Sequence, residues 1–149
     1  MGKMTEEARL KQIEWRKNNR DKYLEYAKVT NENRRKKINS DPEYFLTHTY
    51  SSLKSGAFAR GYAFNLSKKQ LKKLLETKNC QLSGRPLVQQ THNVNKISID
   101  RIDNRYGYSV KNVQVVSAEV NKHRLDLSVN DFIKLCVDVA VHNGYVLAK

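Results

Sequence analysis

Apolar residues never gather into a run approaching the roughly 20 positions that a membrane span needs, so a transmembrane helix is excluded. Cysteine is scarce. Only Cys80 and Cys136 occur, too few for a disulfide framework, and in a cytoplasmic chain both are expected to stay reduced. The start, MGKMTEEARLKQ, lacks the apolar segment of a secretory signal and is charged from its third residue, which leads to an expected cytoplasmic location. Glycine and proline are missing between Thr5 and about Asn39, and neither an internal repeat nor a low-complexity tract occurs. Acid is the minority charge: 15 Asp+Glu stand against 28 Lys+Arg, for a net charge of +13 over 149 residues. A field of that sign favours polyanions, with nucleic acid first among them. An anionic lipid surface fits less well, because the basic segments lack the Trp/Phe/Leu face of an interfacial helix.

At 149 residues the chain accommodates one modest core and an extension. The glycine- and proline-free segment from Thr5 to about Asn39 predicts one long, exposed helix, ending in the basic cluster Arg34, Arg35, Lys36 and Lys37. That composition suits an arm that tracks phosphates, and its removal is expected to flatten the salt dependence of DNA binding. Asp41-Pro42 predicts a break and a new helix over 42–58, since Asp caps helices well and Pro is tolerated at the first turn. Ser67-Lys68-Lys69-Gln70 has the spacing of a capping box and opens a further helix with Leu71, Leu74 and Leu75 turned inward. Ser128 and Asp131 open the last helix, where Phe132, Ile133, Leu135, Cys136 and Val139 recur at helical spacing and are expected in the core. Strand character is confined to Ile97-Ser98-Ile99 and Val113-Gln114-Val115-Val116, with the turn-rich Asp103-Asn104-Arg105-Tyr106-Gly107-Tyr108 between them.

Strand, loop, strand and helix then follow in order, placing Asp100 at the end of the first strand, Asn112 entering the second, and Asn121 on the helix after Ser117. The stretch ISIDRIDNRYGYSVKNVQVVSAEVNKHRLDLS resembles the core of the HNH (ββα-metal) endonucleases, in the phage-type homing and recombination branch. The phrases Ala59-Arg60-Gly61, Phe64-Asn65-Leu66-Ser67 and Cys80-Gln81-Leu82-Ser83-Gly84-Arg85-Pro86-Leu87 resemble the lead-in of that branch, so the resemblance covers roughly Phe58 to Phe132.

What the resemblance implies is an α+β fold: a ββα-metal core at about 80–127 inside a domain of 41–149, with flanking helices and a basic helical extension over 1–40. It implies a metal-dependent DNA endonuclease, phage-encoded and acting on double-stranded DNA inside a host cell. Asp100 and Asn121 would be the metal ligands, and Asn112 would pin the loop. An acid and an amide oxygen are hard donors suited to Mg²⁺ or Mn²⁺. Arg124 and Lys122 would reach phosphates from the helix. Arg101 stands where the family usually has its general-base His. A guanidinium does not take up a proton near neutral pH, yet it can grip a phosphate bidentately. Asp103, His92 from the preceding loop, or solvent hydroxide would then deprotonate the water, Asp103 being favoured. His48, His123 and His142 read as ordinary residues. Structural zinc is not expected, because Cys80 is followed by Ser83 and no second cysteine pair exists. The alternative is an HNH scaffold that binds DNA or RNA without cutting it, and a ribosome- or RNA-associated basic protein is a third possibility.

Overall fold

Thr5 starts the first helix with its hydroxyl, which accepts from the Ala8 N–H at 3.3 Å. Glu6 and Glu7 at the start and Arg16 and Lys17 at the end complement the dipole of α1 (Glu6–Asn18). The computed structural model describes residues 4–145, so the outermost residues of the expected 1–40 and 41–149 ranges lie outside the described residues. The chain divides into two units between Lys37 and Ile38.

The expected single long helix is two helices. The Asn19 side chain donates to the Trp15 carbonyl at 3.0 Å and its backbone N–H to the same oxygen at 2.9 Å, closing α1 before α2 (Arg20–Ser40) begins. A short amide side chain competes for backbone partners in this way, which is why Asn interrupts helices that longer residues would continue. Leu10, Ile13, Trp15, Leu24, Tyr26 and Val29 are all exposed. Only Ile38 of α2 is buried, and it belongs to the second unit, as does Asn39.

In the second unit local signals act as the sequence predicts. Asp41 Oδ1 accepts from the N–H groups of Glu43 and Tyr44, each at 3.0 Å, and α3 runs Pro42–Ala59. Ser67 and Gln70 form a reciprocal capping box at the head of α4 (Lys68–Leu75), which packs on α3 and buries Leu71. Strand β1 (Ile97–Arg101) pairs antiparallel with β2 (Val113–Ser117), setting Ile97 opposite Ser117, Ile99 opposite Val115 and Arg101 opposite Val113. Ser117 both ends β2 and caps α5 (Ala118–Arg124), its Oγ accepting from the Val120 N–H at 3.1 Å. Ile38, Phe45, Leu46, Ala57, Leu66 and Leu71 join Ile97, Ile99, Tyr108, Val113 and Val115 in one core.

The last helix, α6 (Val129–His142), opens at Ser128 as expected but buries none of its residues. Cys136 is exposed, and Ile133, Leu135 and Val139 are about half exposed. The stripe is therefore real, while its expected place in the core is not: Phe132 and Val137 are half-buried, and with Ile133 and Cys136 they line an open groove shared with Leu82 and Val120. No described helix is long and apolar enough to cross a membrane.

Candidate nucleic-acid site

Asn112 is the last residue of the loop joining the strands, directly before β2, and its side chain reaches back into that loop. Its side-chain N–H groups donate to the carbonyls of Asp103 (3.0 Å) and Gly107 (2.9 Å), and its Oδ1 accepts from the Asp103 N–H (3.0 Å). The amide is thereby bonded at both ends, and the loop is held in one shape.

Asp100 is in a different setting from the one expected of a metal ligand. It is 5% exposed, and its Oδ1 accepts from Arg124 Nη2 at 2.7 Å. Oδ2 accepts from Arg124 Nε at 2.8 Å and from Gln114 Nε2 at 2.9 Å. Arg124, only 1% exposed, also donates to the carbonyls of Leu127 and Arg101 and to Asn104 Oδ1. This corrects the expectation that Arg124 reaches a phosphate: the face it shares with Ser117 and Asn121 is turned against β1, and its guanidinium is buried in an ion pair. Nor do these residues fit a divalent ion at Asp100, since a guanidinium already neutralises the carboxylate and a cation would have to displace it. Asn121 is half-buried, its side-chain amide donating to Ser98 Oγ at 2.8 Å. Among the described residues, no group of three or more His, Cys, Asp or Glu could hold a metal ion.

Asp103, the favoured base, is fixed differently. Both its oxygens accept from the Arg105 guanidinium (Nη2 at 2.7 Å) and Oδ1 also accepts from the Arg105 N–H at 2.9 Å. The Arg105 side-chain hydrogen bonds, then its backbone bond, lower the Asp103 carboxyl to about 2. A carboxylate of that strength holds a proton poorly at neutral pH and makes a weak general base. His92 is exposed in a turn with φ of 61°, and the neighbouring Thr91 N–H donates to Asn39 Oδ1 at 3.0 Å. Lys122 is exposed on α5, and Arg34, Arg35, Lys36 and Lys37 are exposed on α2.

Arg101 has partners that the sequence did not disclose. Its guanidinium carbon lies 3.8 Å from the centroid of the Tyr62 ring and 5.7 Å from that of Tyr108. Its Nη1 donates to the carbonyls of Asn104 (3.1 Å) and Tyr106 (3.0 Å). Tyr62 arrives there because α3 ends in a Schellman turn: the Tyr62 N–H returns to the Ala57 carbonyl (2.9 Å), the Gly61 N–H to that of Phe58 (3.1 Å), and Gly61 takes φ of 72°. The preceding residue, Arg60, donates through Nη2 to the Tyr108 hydroxyl at 3.4 Å. Gly61 at the end of a helical pattern was the available sequence signal for this turn, although the contacts it creates are long-range. Gln81 was likewise missed: its backbone N–H donates to the Val115 carbonyl (2.9 Å) and its side-chain oxygen accepts from the Val115 N–H, extending the sheet edge beside β2.

An antiparallel hairpin with a helix directly behind it, set among flanking helices, is an HNH-like α+β arrangement. The fold is similar to that of the rare-cutting HNH restriction endonuclease PacI, with a TM-score of 0.52 at 18% sequence identity, covering 66% of this chain and 80% of that one. In sequence, the chain is similar to an uncharacterised 29.0 kDa protein of Enterobacteria phage T4, 34% identical over 89 residues that make up 60% of this chain and 34% of that protein. It is also 31% identical over 96 residues to an uncharacterised protein of Acanthamoeba polyphaga mimivirus, covering 64% of this chain and 17% of that protein. The chain thus spans about a third or less of the length of these curated relatives. No protein-family model matches it.

Proposed function

We propose that this chain is a DNA-directed module of the HNH kind, acting as an endonuclease on phosphodiester bonds of double-stranded DNA. The observation that carries this reading is the fold likeness to an HNH restriction endonuclease over 80% of that chain, in a protein of net charge +13. Loop and hairpin support it by presenting Arg101 in a fixed orientation. Asp100 serves this reading as the buried partner of Arg124, which holds the end of β1 that carries Arg101. Supercoiled plasmid incubated with the purified chain in Mg²⁺, in Mn²⁺ and in EDTA is expected to be nicked or linearised in at least one divalent ion. A substrate that stays supercoiled in all three sinks the nuclease reading.

The second reading, a DNA-binding module without cleavage, is favoured by one observation, the burial of Asp100 in its pair with Arg124. It predicts binding without nicking. Under either reading the basic end of α2 contributes affinity through phosphates. Replacing Arg34, Arg35, Lys36 and Lys37 together by Gln should reduce the slope of log affinity against log salt by about 0.9 for each phosphate that the cluster neutralises. An unchanged slope would assign that cluster to something other than DNA.

A further inference from the structure

Arg60 and Arg101 are brought together by the Schellman turn of α3 and by the strand that ends in Arg101. Both rest on Tyr108, Arg60 at its hydroxyl and Arg101 over its ring. Among the described residues neither arginine pairs with a carboxylate, whereas Arg105 and Arg124 beside them each do. Arg101 is half-buried, so its charge is held partly out of water with only neutral carbonyls as acceptors. Such a cation gains from an anion that reaches it. Its geometry says which kind. Nη1 takes both carbonyls, and the Tyr62 ring fixes the guanidinium plane. The Nε–Nη2 edge therefore remains as a fork, the arrangement that meets two oxygens of one phosphate. Arg60, exposed beside it, has Nε and Nη1 without partners among the described residues.

We propose that Arg101 and Arg60 form a two-arginine seat for a backbone phosphate of DNA, with Tyr62 and Tyr108 as positioning residues. This rests on the reading of the chain as DNA-directed and extends it to residues outside the hairpin and α5. It requires no metal and no cleavage.

The test uses the full chain, a short DNA duplex and EDTA, so that binding is read apart from any nicking, across a series of salt concentrations. Arg60→Ala and Arg101→Ala are each expected to weaken binding roughly tenfold, the scale of one charge-assisted contact. Each should also reduce the log–log salt slope by part of the roughly 0.9 that one phosphate contributes, and the two replacements together by about 0.9. Arg60 is exposed and its replacement leaves the core intact. For Arg101, where alanine could disturb the loop, Arg101→Lys serves as the second variant: it keeps the charge and the salt slope but loses the fork, and should still bind more weakly. Tyr62→Leu should weaken binding as Arg101→Ala does, and Tyr62→Phe should keep the parent's affinity, because the stack needs the ring and not the hydroxyl. Parent-like affinity in both Arg60→Ala and Arg101→Lys would overturn the seat while leaving the DNA-directed reading standing. A parent that binds no DNA would overturn both. Weakened variants of a parent that binds but does not nick support the seat under the non-cleaving reading.

Discussion

Replacing Asp100 with alanine is expected to lower the stability of the second unit by about 3–5 kcal/mol, the cost of leaving a buried guanidinium without its counter-charge. Arg124 has no route to solvent that would relieve it: it is 1% exposed and ties β1, the turn at Arg101 and Asn104, and the chain leaving α5 at Leu127. The thermal midpoint should fall by on the order of 10 °C or more. Arg124→Ala should cost a similar amount, since Asp100 would then keep only Gln114 as a donor. The two losses should not add. Asp100→Leu combined with Arg124→Met removes both charges and fills similar space, and is expected to be more stable than either alanine variant, a coupling that a double-mutant cycle reads directly. An Asp100→Ala protein that melts with the parent would refute this account of the pair. The expected result also changes how activity data are read: lost cleavage in Asp100→Ala identifies a metal ligand only if the variant retains its fold.

That reversal shows where the sequence was legible. Ser67, Asp41, Ser117 and Ser128 act within three residues of themselves, so their caps could be read from spacing alone, and each forms. The β-branched runs around Ile99 and Val115 marked the hairpin for the same reason. For Arg124, helical spacing placed it on a face with Asn121 and Ser117, but spacing does not say whether that face looks toward solvent or toward β1. In α6 the apolar stripe was legible and its burial was not, because burial depends on a neighbour, and Leu82 and Val120 meet the stripe only across an open groove. The interruption at Asn19 lay in a segment whose composition otherwise favours helix, and one side chain bonding to the Trp15 carbonyl decided it. Tyr62 and Arg60 could not be linked to Arg101 from sequence, since an intervening turn, helix and loop fold back before they meet. The candidate site was thus readable in its hairpin half and silent in the half contributed by α3.

Gly107 is where those halves are fastened, and Gly107→Ala is expected to be the most damaging alanine replacement among the described glycines. A Cβ there would lie 2.0 Å from the Ala63 carbonyl oxygen and 2.8 Å from both its carbonyl carbon and its nitrogen, all of them backbone atoms that cannot rotate aside. That closeness is what lets the Tyr108 N–H donate to the Ala63 carbonyl at 2.9 Å and the Asn65 N–H to the Tyr108 carbonyl at 2.8 Å. Forcing the segments apart weakens both bonds and pulls Tyr108 from Phe64, whose rings are 5.8 Å apart. With overpacking at 1–3 kcal/mol and each bond near 1 kcal/mol, the loss should be about 3 kcal/mol or more. Gly84→Ala provides the comparison: a Cβ there meets nothing within 4 Å, and only its φ of 70° opposes a side chain, a cost of about 1–2 kcal/mol. Thermal melts of the two variants should therefore separate clearly, with Gly107→Ala the lower. Where Gly107→Ala is kept folded at low temperature, its DNA affinity should fall with that of Tyr62→Leu, because separating residues 62–65 from the hairpin removes the ring from beneath Arg101. Equal melting of the two glycine variants would mean that the close approach to Ala63 does not hold the fold together.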